Sequence, residues 1–193
     1  MYNRILFIGF RCTGKTTISK EVANILGFGL VDTDTMIEKE YGRSINQITK
    51  NGTNWVDFRR IETLKIKELL NFDNMVISAG GGVGVNDVPY NSVLTFGDVQ
   101  REIIKKSLDT LKILLVADED VIRKRLYSVG MERLPDLHGK DRSVDEYIEN
   151  NIQIMNKREE YYREMADLVF DTNGDVLENV NKIIDAIKNI KNL

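Results

Sequence analysis

Short apolar runs alternate along the chain with longer stretches in which apolar residues recur every three or four positions. Ile5-Leu6-Phe7-Ile8-Gly9 is a continuous apolar run, the pattern of a strand buried on both faces. Leu30-Val31, Met75-Val76-Ile77, Ile113–Val116 and Leu168-Val169-Phe170 predict four further short strands. The spacing predicts helices over 16–26, 54–70, 119–129, 143–165 and 176–190, and 98–107 can form a further one. In 54–70 the apolar positions are Phe58, Ile61, Leu64, Ile66 and Leu69. In the last helix Val176, Val180, Ile183, Ile184, Ile187 and Ile190 form one stripe, expected to dock on a sheet. Ser143 with Glu146, and Asp175 with Glu178, have the spacing of capping boxes. Gly130–Arg142, rich in charge and holding Pro135 and Gly139, predicts a mobile loop between two helices. Strands separated by helices imply a parallel sheet of five strands covered on both faces, a three-layer α/β/α arrangement.

Composition narrows the chemistry. The 193 residues are expected to form one domain, 1–193, with a core that needs neither disulfide nor structural metal. Hydrophobic residues make up 42% and charged residues 30%, which excludes a chain dominated by disorder. The net charge of -3 argues against general affinity for nucleic acid, while leaving room for a small anionic substrate. Cys12 and His138 are the only residues of their kinds, so no intrachain disulfide or cysteine-based zinc site forms. A Ser-His-Asp system would have to use that one histidine. No apolar run approaches the length of a membrane span, and the one at the start is too short for a signal peptide. A cytoplasmic monomer acting on small molecules is expected.

The first strand runs into Gly9-Phe-Arg-Cys-Thr-Gly14-Lys15-Thr16, the Walker A spacing in its proper place between strand and helix. Such a loop wraps phosphate in backbone N–H groups at the positive end of a helix, with Gly14 permitting close approach. Lys15 is placed to reach the β- and γ-phosphates, and the Thr16 hydroxyl to ligate Mg²⁺. Gly9, Arg11, Cys12, Thr13, Gly14, Lys15, Thr16 and Thr17 are the expected ATP-phosphate contacts, with no catalytic role for the Cys12 thiol. Asp171-Thr-Asn-Gly174 and Asn156-Lys-Arg-Glu159 imitate GTPase motifs. They stand in reverse order, and the second ends in Glu within a predicted helix. Asp32 and Asp34 stand at the carboxyl end of the second strand, where open α/β sheets bind ligands. Two apart on an extended segment, both carboxylates would face the loop. One is suited to support Mg²⁺ and the other to accept a proton from a substrate hydroxyl. A helix cap or a solvated turn would use the same residues.

Together with these motifs, Leu30–Asp34, Ile37-Glu38, Gly42-Arg-Ser-Ile45, Phe58-Arg59-Arg60-Ile61-Glu62, Gly80-Gly81-Gly82, Arg133, Lys157-Arg158 and Asp171-Thr-Asn173 follow in an order that resembles the shikimate kinase family over most of the chain. The resemblance implies a P-loop kinase core with a substrate-binding helical region at about 33–62 and a lid at about 130–142. It implies transfer of the γ-phosphate of ATP, with Mg²⁺, to the 3-hydroxyl of shikimate. On this resemblance Lys15, Asp34 and Arg133 are catalytic, with Asp34 on the acceptor hydroxyls and Arg133 closing over the phosphates. Arg59 and Arg158 hold the acceptor carboxylate, a task suited to a planar guanidinium fork. Glu62 fixes an arginine, and Gly80, Gly81 and Gly82 form a turn against the substrate. Arg125, Thr172 and Asn173 are assigned to the adenine pocket, and Thr16 and Asp32 to the metal. Without the resemblance, Arg59, Arg60 and Arg158 read as solvated helix faces.

Two features depart from the family pattern. The lid reads Arg133-Leu134-Pro135 in place of Arg-Pro-Leu, which moves the backbone restraint from Arg133 to Leu134. Val83–Thr110 is long, with the excess near Asn86–Phe96, directly after the glycine turn. That segment either caps the acceptor site or is a tolerated surface insertion. A kinase for another hydroxylated acid such as gluconate, and a non-catalytic nucleotide-binding relative, remain as alternatives.

Overall fold

The computed structural model describes residues 2–50, 52–129 and 143–191. Strand β1 (Arg4–Ile8) is buried along its length and lies in the middle of the sheet. Its side chains divide by the two-residue period of a strand. Leu6 and Ile8 enter one core, Ile5 and Phe7 the other. This is why the run is apolar without alternation. Strands β2 (Gly29–Asp32), β3 (Met75–Ser78), β4 (Thr110–Val116) and β5 (Leu168–Asp171) complete a parallel sheet in the order β2-β3-β1-β4-β5.

Helices α1 (Lys15–Leu26) and α8 (Val176–Lys191) cover one face through Ile18, Val22, Val180, Ile183, Ile184 and Ile187. Helices α4 (Val56–Leu69), α5 (Phe96–Lys106) and α7 (Val144–Met165) contribute Ile66, Leu69, Ile104, Tyr162 and Met165 to the other. Helix α6 (Glu119–Val129) packs Ile122 and Leu126 against Tyr147, Ile148 and Ile152 of α7. Helices α2 (Thr33–Tyr41) and α3 (Ile45–Ile48) join α4 through Ile37, Ile45 and Phe58. Among the described residues no helix is long and apolar enough to cross a membrane.

Of the two expected capping boxes, the structure shows the half made by the first side chain. Ser143 Oγ accepts the Glu146 N–H at 3.1 Å, and Asp175 Oδ1 accepts the N–H groups of Leu177 and Glu178 at 2.8 and 3.3 Å. Two expected core positions are corrected: Leu64 is 60% exposed and Val176 is 42% exposed. The reason in α4 is instructive. Its buried face carries Phe58, Arg59, Glu62, Thr63, Ile66 and Leu69, so polar residues occupy half of it and hydrophobic spacing misplaces the face.

The long stretch after Gly82 is an ordered turn. Gln100 Oε1 accepts the Gly84 N–H at 2.7 Å, and Arg101 donates to the Gly84 carbonyl and to Asn86 Oδ1. Thr95 and Asp98 form a capping box that starts α5. The segment splits in two: Val88 is buried, whereas Tyr90, Val93 and Leu94 are exposed. The expected lid at 130–142, with Arg133, lies outside the described residues.

Candidate active site

The phosphate loop follows β1 as its sequence requires. Gly14, the N-cap of α1, has φ 89, so glycine is demanded by torsion. A Cβ there would meet no protein atom nearer than Ile18 Cδ1 at 3.5 Å, and the close approach expected at this position is to be sought on the ligand side. Lys15 is buried, and its ammonium donates to the Phe10 carbonyl at 2.7 Å. Burial pulls its pKa down to about 8, although Asp34 and Asp32 oppose the fall. Thr13 Oγ1 donates to the same Phe10 carbonyl, which ties the loop together. Arg11 donates to the Tyr147 hydroxyl of α7 at 3.0 Å.

Asp32 is both a cap and a partner of the loop. Its Oδ1 accepts the Thr35 N–H at 3.2 Å, and its Oδ2 accepts the hydroxyls of Thr16 and Ser78, each at 2.9 Å. The Ser78 contact follows from strand register, because Asp32 lies directly opposite Ser78. Asp34 is not on extended backbone as expected; it sits in the first turn of α2. Both carboxylates nevertheless line one cleft of about 300 Å³ with Lys15, Thr16 and Gly81. Burial pushes the Asp34 carboxyl up to about 7, and the nearby Glu62 and Asp32 add to the rise.

Behind Asp34 lies a buried charge cluster. Arg59, only 2% exposed, donates from Nη1 to Glu62 Oε2 at 2.8 Å. It also grips Asp87 with two bonds, Nε to Oδ1 at 3.1 Å and Nη2 to Oδ2 at 2.7 Å. Burial works against the Arg59 charge, but Glu62 and Asp87 outweigh it and hold its pKa above the ordinary value. Arg158 reaches in from α7, donating to the Gly81 carbonyl at 2.8 Å and to Asp87 Oδ2 at 3.1 Å. Glu62 Oε1 is buried without a partner and lies beside Gly80, near Asp34. The triple glycine is explained here by close approach: a Cβ on Gly80 would strike the Asp34 carboxylate, and one on Gly82 would strike the Arg59 guanidinium. Arg60, by contrast, is exposed.

On the other side of the loop a second cleft of about 270 Å³ is lined by Cys12, Gly14, Thr17, Arg125, Thr172 and Asn179, among others. Arg125 spans it, donating to the carbonyls of Cys12 at 3.0 Å and Thr172 at 2.6 Å. Asn173 accepts the Asp118 N–H at 2.8 Å and so joins the turn after β5 to the start of α6. The fold therefore brings the loop, both aspartates, Glu62, Gly80–Gly82 and both arginines to one edge of the sheet. Sequence reasoning missed Ser78, Tyr162, Asn179 and Asp87. Ser78 was findable from its place at the end of a strand. Tyr162, whose hydroxyl donates to the Gly81 carbonyl, gives no local signal.

The family model described as shikimate kinase matches residues 11–188. A shikimate kinase of Helicobacter hepaticus is 32% identical over 185 residues, spanning 95% of each chain. One of Thermodesulfovibrio yellowstonii is 35% identical over 190 residues, 97% of this chain and 96% of the relative. Among solved structures, shikimate kinase from Acinetobacter baumannii in complex with shikimate superposes with a TM-score of 0.78 at 24% identity. That match covers 99% of this chain and 96% of the other, a likeness of fold.

Proposed function

The chain belongs to the shikimate kinase family, and we propose that it transfers the γ-phosphoryl group of ATP to the 3-hydroxyl of shikimate, with Asp34 receiving the hydroxyl proton. The observation that carries this reading is the position of Asp34. It shares a cleft with Lys15, while Glu62 and Arg59 stand on its other side. A carboxyl near pH 7 is matched to taking a proton at neutral pH. An acceptor oriented by Arg158 and Arg59 would present its hydroxyl between Asp34 and the phosphate held by the loop. Positioning and charge neutralisation then supply the catalysis, because phosphoryl transfer asks little covalent chemistry of the protein.

The Thr16 hydroxyl and the Asp32 carboxylate, two hard oxygens in mutual contact beside the loop, fit a magnesium ion held chiefly by phosphates and water. Bound with ATP, the ion supplies neutralisation of phosphate charge. Arg125 and Thr172 are assigned to the base side of the nucleotide, next to the loop. Arg133 is assigned to the phosphates on the strength of the family pattern. The reading needs no group from a second subunit, and a cytoplasmic monomer is the form in which we propose it acts.

The direct test is ADP release with Mg·ATP in the presence of shikimate, quinate, gluconate or no acceptor. Shikimate-dependent release is expected; release that ignores shikimate would overturn the reading.

Arg158→Ala is the cleaner probe of the carboxylate clamp. Loss of one charged hydrogen bond, about 1.5–3 kcal/mol, should raise the shikimate KM roughly 10- to 150-fold. The KM for ATP should move far less, and a parallel collapse of ATP affinity would refute the assignment. Arg59→Ala is a poor probe, because it strands the buried Glu62 and damages the fold itself.

A further inference from the structure

Every edge of the Arg59 guanidinium is covered. Glu62 takes Nη1, the side edge formed by Nε and Nη2 is bound to Asp87, and the terminal edge abuts the α-carbon of Gly82. Trp55 and Phe58, packed edge to face against each other, flank it from one side, with ring centroids 5.2 and 5.5 Å from Cζ. Arg158 is committed to the same Asp87 oxygen and to the Gly81 carbonyl. Most of these covers are fixed. Glu62 is wholly buried on the same helix, and Gly82 is backbone in a tight turn. Asp87 differs: it is an exposed residue whose side chain is 27% accessible, and it borders a cleft of about 550 Å³ lined also by Trp55, Lys157, Arg158 and Tyr161. The loop carrying it is pinned at Gly84 and Asn86, so the carboxylate can swing while the backbone stays.

We infer that Asp87 is an internal carboxylate that closes the acceptor-carboxylate subsite, and that an acceptor enters by displacing it from Arg59 and Arg158 into the adjoining cleft. The inference rests on the assignment of these two arginines to the acceptor under the proposed function. Its physical content is competition. The two arginines have one bidentate position between them, and two carboxylates cannot share it. An acceptor without an anionic group cannot take the place of Asp87, so the residue acts as a selectivity filter against neutral acceptors. Acceptor affinity is scaled down to the fraction of molecules in which Asp87 is unseated, and removing its charge should restore that affinity.

The test uses Asp87→Asn, which keeps the shape, and Asp87→Ala, which empties the position. Both should lower the shikimate KM by roughly fivefold or more, with the KM for ATP within about twofold of wild type. An unchanged shikimate KM in both variants would overturn the inference. So would a raised one, which would mean that Asp87 holds the arginines in place. Should Asp87→Ala fail to fold, Asp87→Asn decides alone. A calorimetric titration with cyclohex-1-ene-1-carboxylate, a ring acid lacking the hydroxyls, separates the two readings. Tighter binding to Asp87→Asn than to wild type supports displacement even where shikimate gives no turnover, in which case only the choice of acceptor fails. Equal or weaker binding overturns displacement.

Discussion

Lys15→Ala is expected to lower kcat for phosphoryl transfer by at least about 10³-fold, some 4 kcal/mol of transition-state stabilisation. The side chain is buried at the start of α1, so its ammonium acts where water screens little. Among the described residues no other lysine lines the phosphate cleft, whose other lining cation is Arg11, bonded to Tyr147. Single-turnover formation of ADP measures the loss, with the thermal melt checking that the loop still folds. A variant retaining a tenth of wild-type turnover would refute the role. The same residue sets an alkaline limit. Burial pulls Lys15 to about 8 in the free enzyme, so above that pH it loses the charge that attracts phosphate. kcat/KM for ATP should therefore decline above about pH 8.

Asp34→Asn should cost about 10²- to 10⁴-fold in kcat, the usual worth of a positioned general base. Asparagine keeps the size of the side chain and can still accept a hydrogen bond, but it cannot take the proton. Burial, with Glu62 and Asp32, raises the wild-type carboxyl to about 7. Below that pH the group is protonated and cannot serve as base, so kcat/KM for shikimate should fall as pH drops through 7. The asparagine variant should show no such limb between pH 6 and 8. If its residual activity kept the same acid limb, the titrating base would be another group. The linked effect on stability has the opposite sense. A carboxyl raised in the folded state makes folding less favourable as pH rises from its unfolded value of about 4 towards 7. Asp34→Asn should thus melt at the same temperature or higher than wild type at pH 8.

How far the site was legible depended on where its chemistry is local. The phosphate loop is one uninterrupted stretch, Gly9–Thr17, and its torsions and dipole are properties of a strand-to-helix turn. Asp32 and Asp34 were found for the same reason, at the end of a short strand, although the helical turn that orients Asp34 was not foreseen. Arg59 and Glu62 were visible only through the family pattern. By periodicity they belonged to a solvated face, yet the structure turns that face inward and places Leu64 in solvent. The pairing of like with unlike charge makes such burial tolerable, and no hydrophobic scale records it.

By itself the sequence determined the five-stranded parallel sheet, the layers covering it, the phosphate loop and its lysine, because strand period, helix period and loop torsion are set by neighbours along the chain. Tertiary structure alone decided what the arginines touch. Arg59 and Asp87 are far apart in sequence, as are Arg158 and Gly81, and their meeting depends on how α4, α7 and the turn after β3 pack. A charged side chain carries no mark of its partner. Only the fold fixes whether it faces water, a substrate or, as here, a carboxylate of its own chain.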